Sequence, residues 1–202
     1  MRSRILSSLA IAALAAAPLV AQGSMAATAA APAKPAPPPA GFRGEFAKNF
    51  AAVSDKYLQL AQAIPADKYS WRPAPGVRSI AETFLHAAAA QYLMGSTMGW
   101  PTPAGIALKG MPDMMAFETS TTDKAKIIET LKAAFAYMNA GVMAMPDASS
   151  DKTVVFFGQT MTMREMLFAE TAHNGEHLGQ MIAYARMNNV VPPWSMKAAA
   201  GM

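Results

Sequence analysis

The sequence predicts an all-α protein built as a four-helix bundle, and three observations carry that expectation. Apolar residues recur at helical spacing in four separate stretches after Phe42. Two of those stretches open on an S/T-x-x-E signature, Ser79 with Glu82 and Thr162 with Glu165, in which each residue's side chain caps the other's free backbone N–H. No glycine-rich strand-to-helix turn of the phosphate-binding kind and no internal repeat interrupts the pattern. A chain of 202 residues is long enough to bury a real core in one domain.

The expected organisation has three parts. Residues 1–26 read as a signal peptide: Arg2 and Arg4 precede an apolar stretch from Ile5 to Val20, and small residues around Ala21, Gly23 and Ala26 offer cleavage sites. That run is short for a membrane span, so no stable insertion is expected after cleavage, and the location implied is periplasmic or secreted. Residues 27–41, ATAAAPAKPAPPPAG, form an Ala/Pro-rich linker expected to act as a stiff, extended tether. Residues 42–202 then hold the bundle.

Within the bundle each helix has its own signals. The first is expected from about Gly44 to Ile64, with Phe46, Phe50, Val53, Tyr57, Leu60 and Ala61 at helical spacing and Pro65 ending it. The segment PADKYSWRPAPGVRS reads as a loop, with Tyr69, Trp71 and Pro73 as packing and turn residues. The Ser79/Glu82 box opens the second helix, Ile80 to about Met94, whose Ala87–Ala90 run suits a helix enclosed by several neighbours. Gly95 to Thr122 reads as a long connection, part of it irregular helix, of the kind that forms a wall or lid of a site. The third helix is expected over Asp123 to Met143, capped by Thr121, Thr122 or Asp123. Thr153 to Thr160 reads as an extended segment with a hairpin around Gly158, and the Thr162/Glu165 box opens the fourth helix, which reaches Met187.

Charge and composition narrow the function. The formal net charge is +4, and losing Arg2 and Arg4 would leave fifteen basic residues against thirteen acidic ones with no basic run. Nothing there asks for nucleic acid or an anionic membrane. The chain has no cysteine, which removes disulfides, thiolate nucleophiles, a lipoprotein anchor and sulfur-rich metal sites.

The chemistry sits on the fourth helix. Met166, Glu170, His173, His177, Gln180 and Tyr184 follow one another by three or four residues and share one stripe. A helix packed on three others turns such a stripe at least partly inward, and each buried polar group left unsatisfied costs roughly 1–3 kcal/mol. A metal ion is an efficient partner for two imidazoles one turn apart. His86, among Phe84, Leu85, Ala87 and Ala88, supplies a third imidazole, and the chain has no other histidine. Three such ligands leave coordination positions open, as catalytic sites do. Against this, an H-x-x-x-H pair alone is weak evidence, and a histidine on an apolar helix is more often a hydrogen-bonded core residue. Glu170 reads as a fourth ligand, as an acceptor orienting an imidazole, or as a solvated carboxylate, with the orienting role preferred. Gln180 reads as an orienting group or as an ordinary bundle hydrogen bond.

With those residues in place, the chain resembles the DinB-like (damage-inducible type) family. HNGEHLGQMIAYARMNNVVPP, His173 to Pro193, is similar to the family's H-x-x-x-H-x-G-Q ending followed by an Arg and a Pro. YSWRPAPGVRSIAETFLHAAA resembles the segment in which W-R-P leads into a helix bearing one histidine, and GQTMTMREML resembles the entry to the last helix. The ordered set covers about residues 42–193. The resemblance implies a bundle with a divalent metal, zinc or nickel, on His86, His173 and His177. It also implies kinship with metal-dependent transferases that use low-molecular-weight thiols; the export signal departs from those cytosolic members and weighs against a thiol cofactor.

Two classes of function follow. The first is a metal-dependent transferase or hydrolase activating water or a thiol for a small-molecule substrate, with Glu170 and Gln180 supporting the ligands. The second is a non-catalytic periplasmic metal- or ligand-binding module. Seventeen methionines, including Met111, Met114 and Met115, keep copper in view, although methionine is foremost a core filler. Non-covalent haem is a further alternative, since no C-x-x-C-H occurs. A homodimer is compatible with this bundle class.

Overall fold

A computed structural model of the chain describes residues 40–199. The expected signal peptide (1–26) and the linker up to residue 39 lie outside the described residues. In chain order the elements are α1 (Phe42–Ala63), α2 (Ile80–Thr97), α3 (Met111–Glu118), α4 (Lys124–Ala144), β1 (Thr153–Phe156), β2 (Gln159–Thr162), α5 (Met163–Met187) and α6 (Pro193–Ala199). The architecture is all-α: the four long helices α1, α2, α4 and α5 form a bundle, and α2 packs on α4, α3 and α5 while α1 packs on α4 and α5. The two short strands make one antiparallel hairpin, with Thr153 opposite Thr162 and Phe156 opposite Gln159.

Both expected capping boxes form. Ser79 accepts from the Glu82 N–H while Glu82 accepts from the Ser79 N–H at 2.7 Å, and Thr162 and Glu165 repeat the arrangement at the start of α5. Asp123 is the residue that caps α4, accepting from the Lys126 N–H at 3.0 Å. These caps satisfy backbone donors that the helix itself leaves free.

The core is built from the apolar stripes the spacing predicts. Tyr57, Leu60, Phe84, Leu131, Met138, Met166 and Leu167 are fully buried. Tyr57 lies against Phe84 and Phe135, with ring centroids 6.4 and 5.5 Å apart. Residues Ala87–Ala90 are buried too. Their small side chains let α2 sit inside the bundle with neighbours on several sides, which is why its pattern shows almost no polar face.

Two boundaries differ from the sequence reading. α2 runs through Gly95 to Thr97, because this glycine is a contact and not a breaker: an added Cβ would lie 2.5 Å from Cε1 of Tyr137 on α4. The connection after it holds a regular short helix, α3, whose first turn is organised by Asp113 accepting from the Lys109 N–H at 2.8 Å. Among the described residues no helix is long and apolar enough to cross a membrane.

Candidate metal centre

The bundle brings the three histidines together. His86 comes from the middle of α2, and His173 and His177 stand one turn apart on α5. Each offers a ring nitrogen such that all three lie within 4.8 Å of one another. The ring centroids are 5.1 Å (His86–His173), 4.6 Å (His86–His177) and 4.5 Å (His173–His177) apart. His86 is buried, and the other two are half-buried. Three imidazoles converging this closely are a donor set that could hold a metal ion.

Hydrogen bonds behind the rings fix which nitrogen faces the centre. His86 Nδ1 donates to Oε1 of Glu118, 2.6 Å away, an arrangement that turns Nε2, the ligating nitrogen of the neutral ring, toward the centre. Glu118 is the last residue of α3 and is itself held by Arg78, with Nε 2.6 Å from Oε2 and Nη2 3.2 Å from Oε1. Burial acts to raise the Glu118 pKa, but hydrogen bonds from His86 and Arg78 outweigh it and hold the carboxyl below its ordinary value. His177 Nδ1 donates to Oε1 of Gln180 at 2.8 Å, and Gln180 Nε2 donates to the Tyr184 hydroxyl at 2.8 Å. Trp71 packs edge-on against the Tyr184 ring at 5.5 Å, so the W-R-P loop supports His177 through two intermediates.

His173 lacks such an anchor. Its Nδ1 is buried with no hydrogen-bond partner, and its Nε2 lies 3.0 Å from the Nε2 of His86. Two nitrogens sharing one tetrahedral zinc at ~2.05 Å would be about 3.3 Å apart. A ring unsupported from behind takes its orientation from what it meets in front, which is where a shared ion would sit. Burial, with lesser contributions from His177, His86 and Arg78, pushes the His173 pKa down to about 3. Burial also lowers that of His177, against the opposing hydrogen bond from Gln180. Both rings are therefore neutral at pH 7, the protonation state in which imidazole ligates. All the donors are nitrogen, a set suited to zinc or nickel.

Of the residues the sequence singles out, Gln180 meets a histidine and Glu170 does not. Glu170 is fully buried one turn before His173, and its Oε1 accepts from Asn174 Nδ2 at 2.6 Å, with no hydrogen bond to any of the three rings. Asn174 belongs to a layer beneath the site, where its Oδ1 accepts from Gln91 and its carbonyl from Tyr57. Burial raises the Glu170 pKa to about 8, opposed by the Asn174 hydrogen bond and the nearby Gln91 amide, so the carboxyl is mostly neutral at pH 7. The carboxylate that orients an imidazole is Glu118, which the sequence reading missed together with Arg78. The sequence offers no spacing that ties it to a histidine, only scarcity: the 95–122 connection has two acidic residues, Asp113 and Glu118. Asp113 is explained as a cap, which leaves Glu118 without a role of its own.

Fold and site together define a helical-bundle protein with a three-histidine cluster inside the bundle. The chain belongs to the DinB superfamily, whose family profile matches residues 49–181. It is similar in structure to a DinB-like protein from Bacillus cereus ATCC 10987 at TM-score 0.63 and 17% identity, covering 73% of this chain and 93% of that one. It is also similar to mycothiol-dependent maleylpyruvate isomerase, at TM-score 0.55 and 13% identity over 70% of this chain and 61% of that one. A conserved protein from Enterococcus faecalis matches at TM-score 0.56 and 12% identity, over 70% and 94% of the two chains. At these identities the likeness is one of fold. No curated protein matches the chain.

Proposed function

We propose that the protein is an exported DinB-superfamily enzyme with a divalent metal, zinc or nickel, on His86, His173 and His177, acting as a transferase or hydrolase on a small molecule. The observation that carries this reading is the convergence of three ring nitrogens within 4.8 Å, with the outward nitrogens of His86 and His177 engaged by Glu118 and Gln180. The likeness to an isomerase named for its thiol dependence supports thiol activation beside water activation.

When bound, the metal supplies Lewis acidity, bringing the pKa of a water or thiol that reaches it toward neutrality. The chain's own groups do the rest. Arg78 holds Glu118, Glu118 keeps the His86 proton on Nδ1, and Gln180 does the same for His177, so both rings keep a lone pair facing inward. Burial keeps His173 and His177 unprotonated. The signal-peptide pattern at 1–26 supports a periplasmic or secreted location.

The test is turnover by metal-loaded protein on a panel of thiol-transfer and ester- and amide-hydrolysis substrates. Metal-dependent turnover that disappears in His86→Ala is the expected result; equal rates with and without metal would contradict catalysis at this centre. One observation favours the second reading, a non-catalytic metal module. Glu170, the carboxylate on the same stripe of α5 as the two histidines, is bonded to Asn174 and not to the rings, leaving no general base assigned. Stoichiometric metal without turnover across the panel would decide for that module.

A further inference from the structure

Beside the histidines, between α2, α3, the β1–β2 turn and α5, lies a cavity of about 120 Å³. His86 and His173 form one wall, and Met94, Met114, Phe156 and Phe157 form much of the rest, with no charged side chain among the lining residues. The volume is of the same order as the ~150 Å³ apolar cavity that admits a benzene ring in another protein. Larger clefts exist, of about 440 Å³ beside Trp100 and Tyr137 and about 490 Å³ beside Lys124, but none of the three histidines lines either one.

An independent feature points to the same place. The hairpin turn is Phe157-Gly158, with φ of 47° and 79°. Positive φ at both central residues is the geometry for which hairpins favour Asn-Gly, and a phenylalanine there is an outlier. Phe157 gains little core burial in return, since it is 62% exposed and its ring leans on Phe156 at 4.4 Å between centroids. What the turn does achieve is an aromatic wall at the cavity beside the histidines. Backbone strain retained without a packing reason marks a functional position.

We propose that this cavity receives the apolar end of a small neutral substrate, about one phenyl ring in size, whose polar head reaches the three-histidine centre. The assignment rests on the metal-site reading above and adds the substrate class: neutral and apolar next to the reacting group, selected by Phe156, Phe157, Met94 and Met114.

The experiment measures binding of hydroxamic acids to the zinc-loaded protein by calorimetry, because the hydroxamate head anchors to zinc and the tail samples the cavity. Acetohydroxamate, benzohydroxamate and 4-carboxybenzohydroxamate are compared. Benzohydroxamate is expected to bind at least about tenfold tighter than acetohydroxamate, the transfer gain of a buried ring being larger than that. The carboxylated analogue is expected to lose that gain. In Phe157→Gly, which also relieves the turn, the benzohydroxamate advantage should fall roughly two- to tenfold while zinc stoichiometry stays the same. Equal affinity for the acetyl and phenyl probes, or tightest binding of the carboxylated one, would overturn the neutral apolar cavity and leave the metal site standing. Failure to take up zinc at all would overturn both.

Discussion

Glu118 shows how a single residue outside any sequence pattern can set the state of a site. It accepts the His86 Nδ1–H at 2.6 Å and is itself pinned by Arg78. Replacing it by glutamine keeps the shape but removes the charge that pairs with Arg78 and strengthens the bond to His86 Nδ1–H. Glu118→Gln is expected to weaken metal binding by about 10- to 100-fold in a chelator competition, the usual effect of losing a group that orients a ligand; unchanged affinity would remove Glu118 from the site. His173 and His177 were legible because i, i+4 spacing on one helix is visible in the sequence, and Gln180 because it continues the same stripe. Glu118 was not, since it meets His86 only through the packing of a short helix against α2, a contact that no local spacing records.

Glu170 carries a prediction with a definite sign. Its pKa is raised from 4.5 to about 8 by burial, so in that window the folded state holds a proton that the unfolded state has released. Stability from this group is complete below pH 4.5 and is lost as pH rises toward 8. His173 acts at the other side: its pKa falls from 6.5 to about 3, so stability declines as pH drops below 6.5. Glu170→Gln should abolish the alkaline decline in a melting-temperature series between pH 5 and 9 and leave the acid limb in place. The same alkaline slope in both proteins would show that Glu170 is ionised in the fold. Oε2 of Glu170 and Oε1 of Gln91 are both buried acceptors without partners, and a neutral carboxyl turns one of them into a donor.

At the scale of elements, helix starts were readable because capping boxes are short, local signals, and both formed as expected. Helix ends were less so. Gly95 reads as a breaker, yet it serves the close approach of Tyr137, and Gly141 on α4 does the same for Trp100, where a Cβ would lie 2.1 Å from the ring. Gly141→Ala brings a helix-propensity gain of about 0.5–1 kcal/mol against an overpacking cost of about 1–3 kcal/mol. The melting temperature should therefore fall by several degrees at ~2–4 °C per kcal/mol. A rise would mean that the Trp100 ring shifts freely and that the segment following α2 is less tightly locked to α4.

For the whole molecule, the bundle was legible because four stretches of helical period in one compact domain have few other ways to bury their apolar faces. The cavity beside the histidines was not legible, because two separate stretches of the chain build it, α2 with α3 and the hairpin turn with α5. The 95–122 connection was expected to form a wall of the site. It contributes Met111 and Met114 to the cavity and Glu118 to the histidines.

The proposed role of the bundle is to hold a metal on His86, His173 and His177. Metal analysis of the protein, purified without chelators or a histidine tag beside a His173→Ala/His177→Ala double variant, tests it most directly. Close to one zinc or nickel per chain is expected in the parent and none in the folded variant. Equal metal content in the two, or none in the parent after reconstitution, would contradict it.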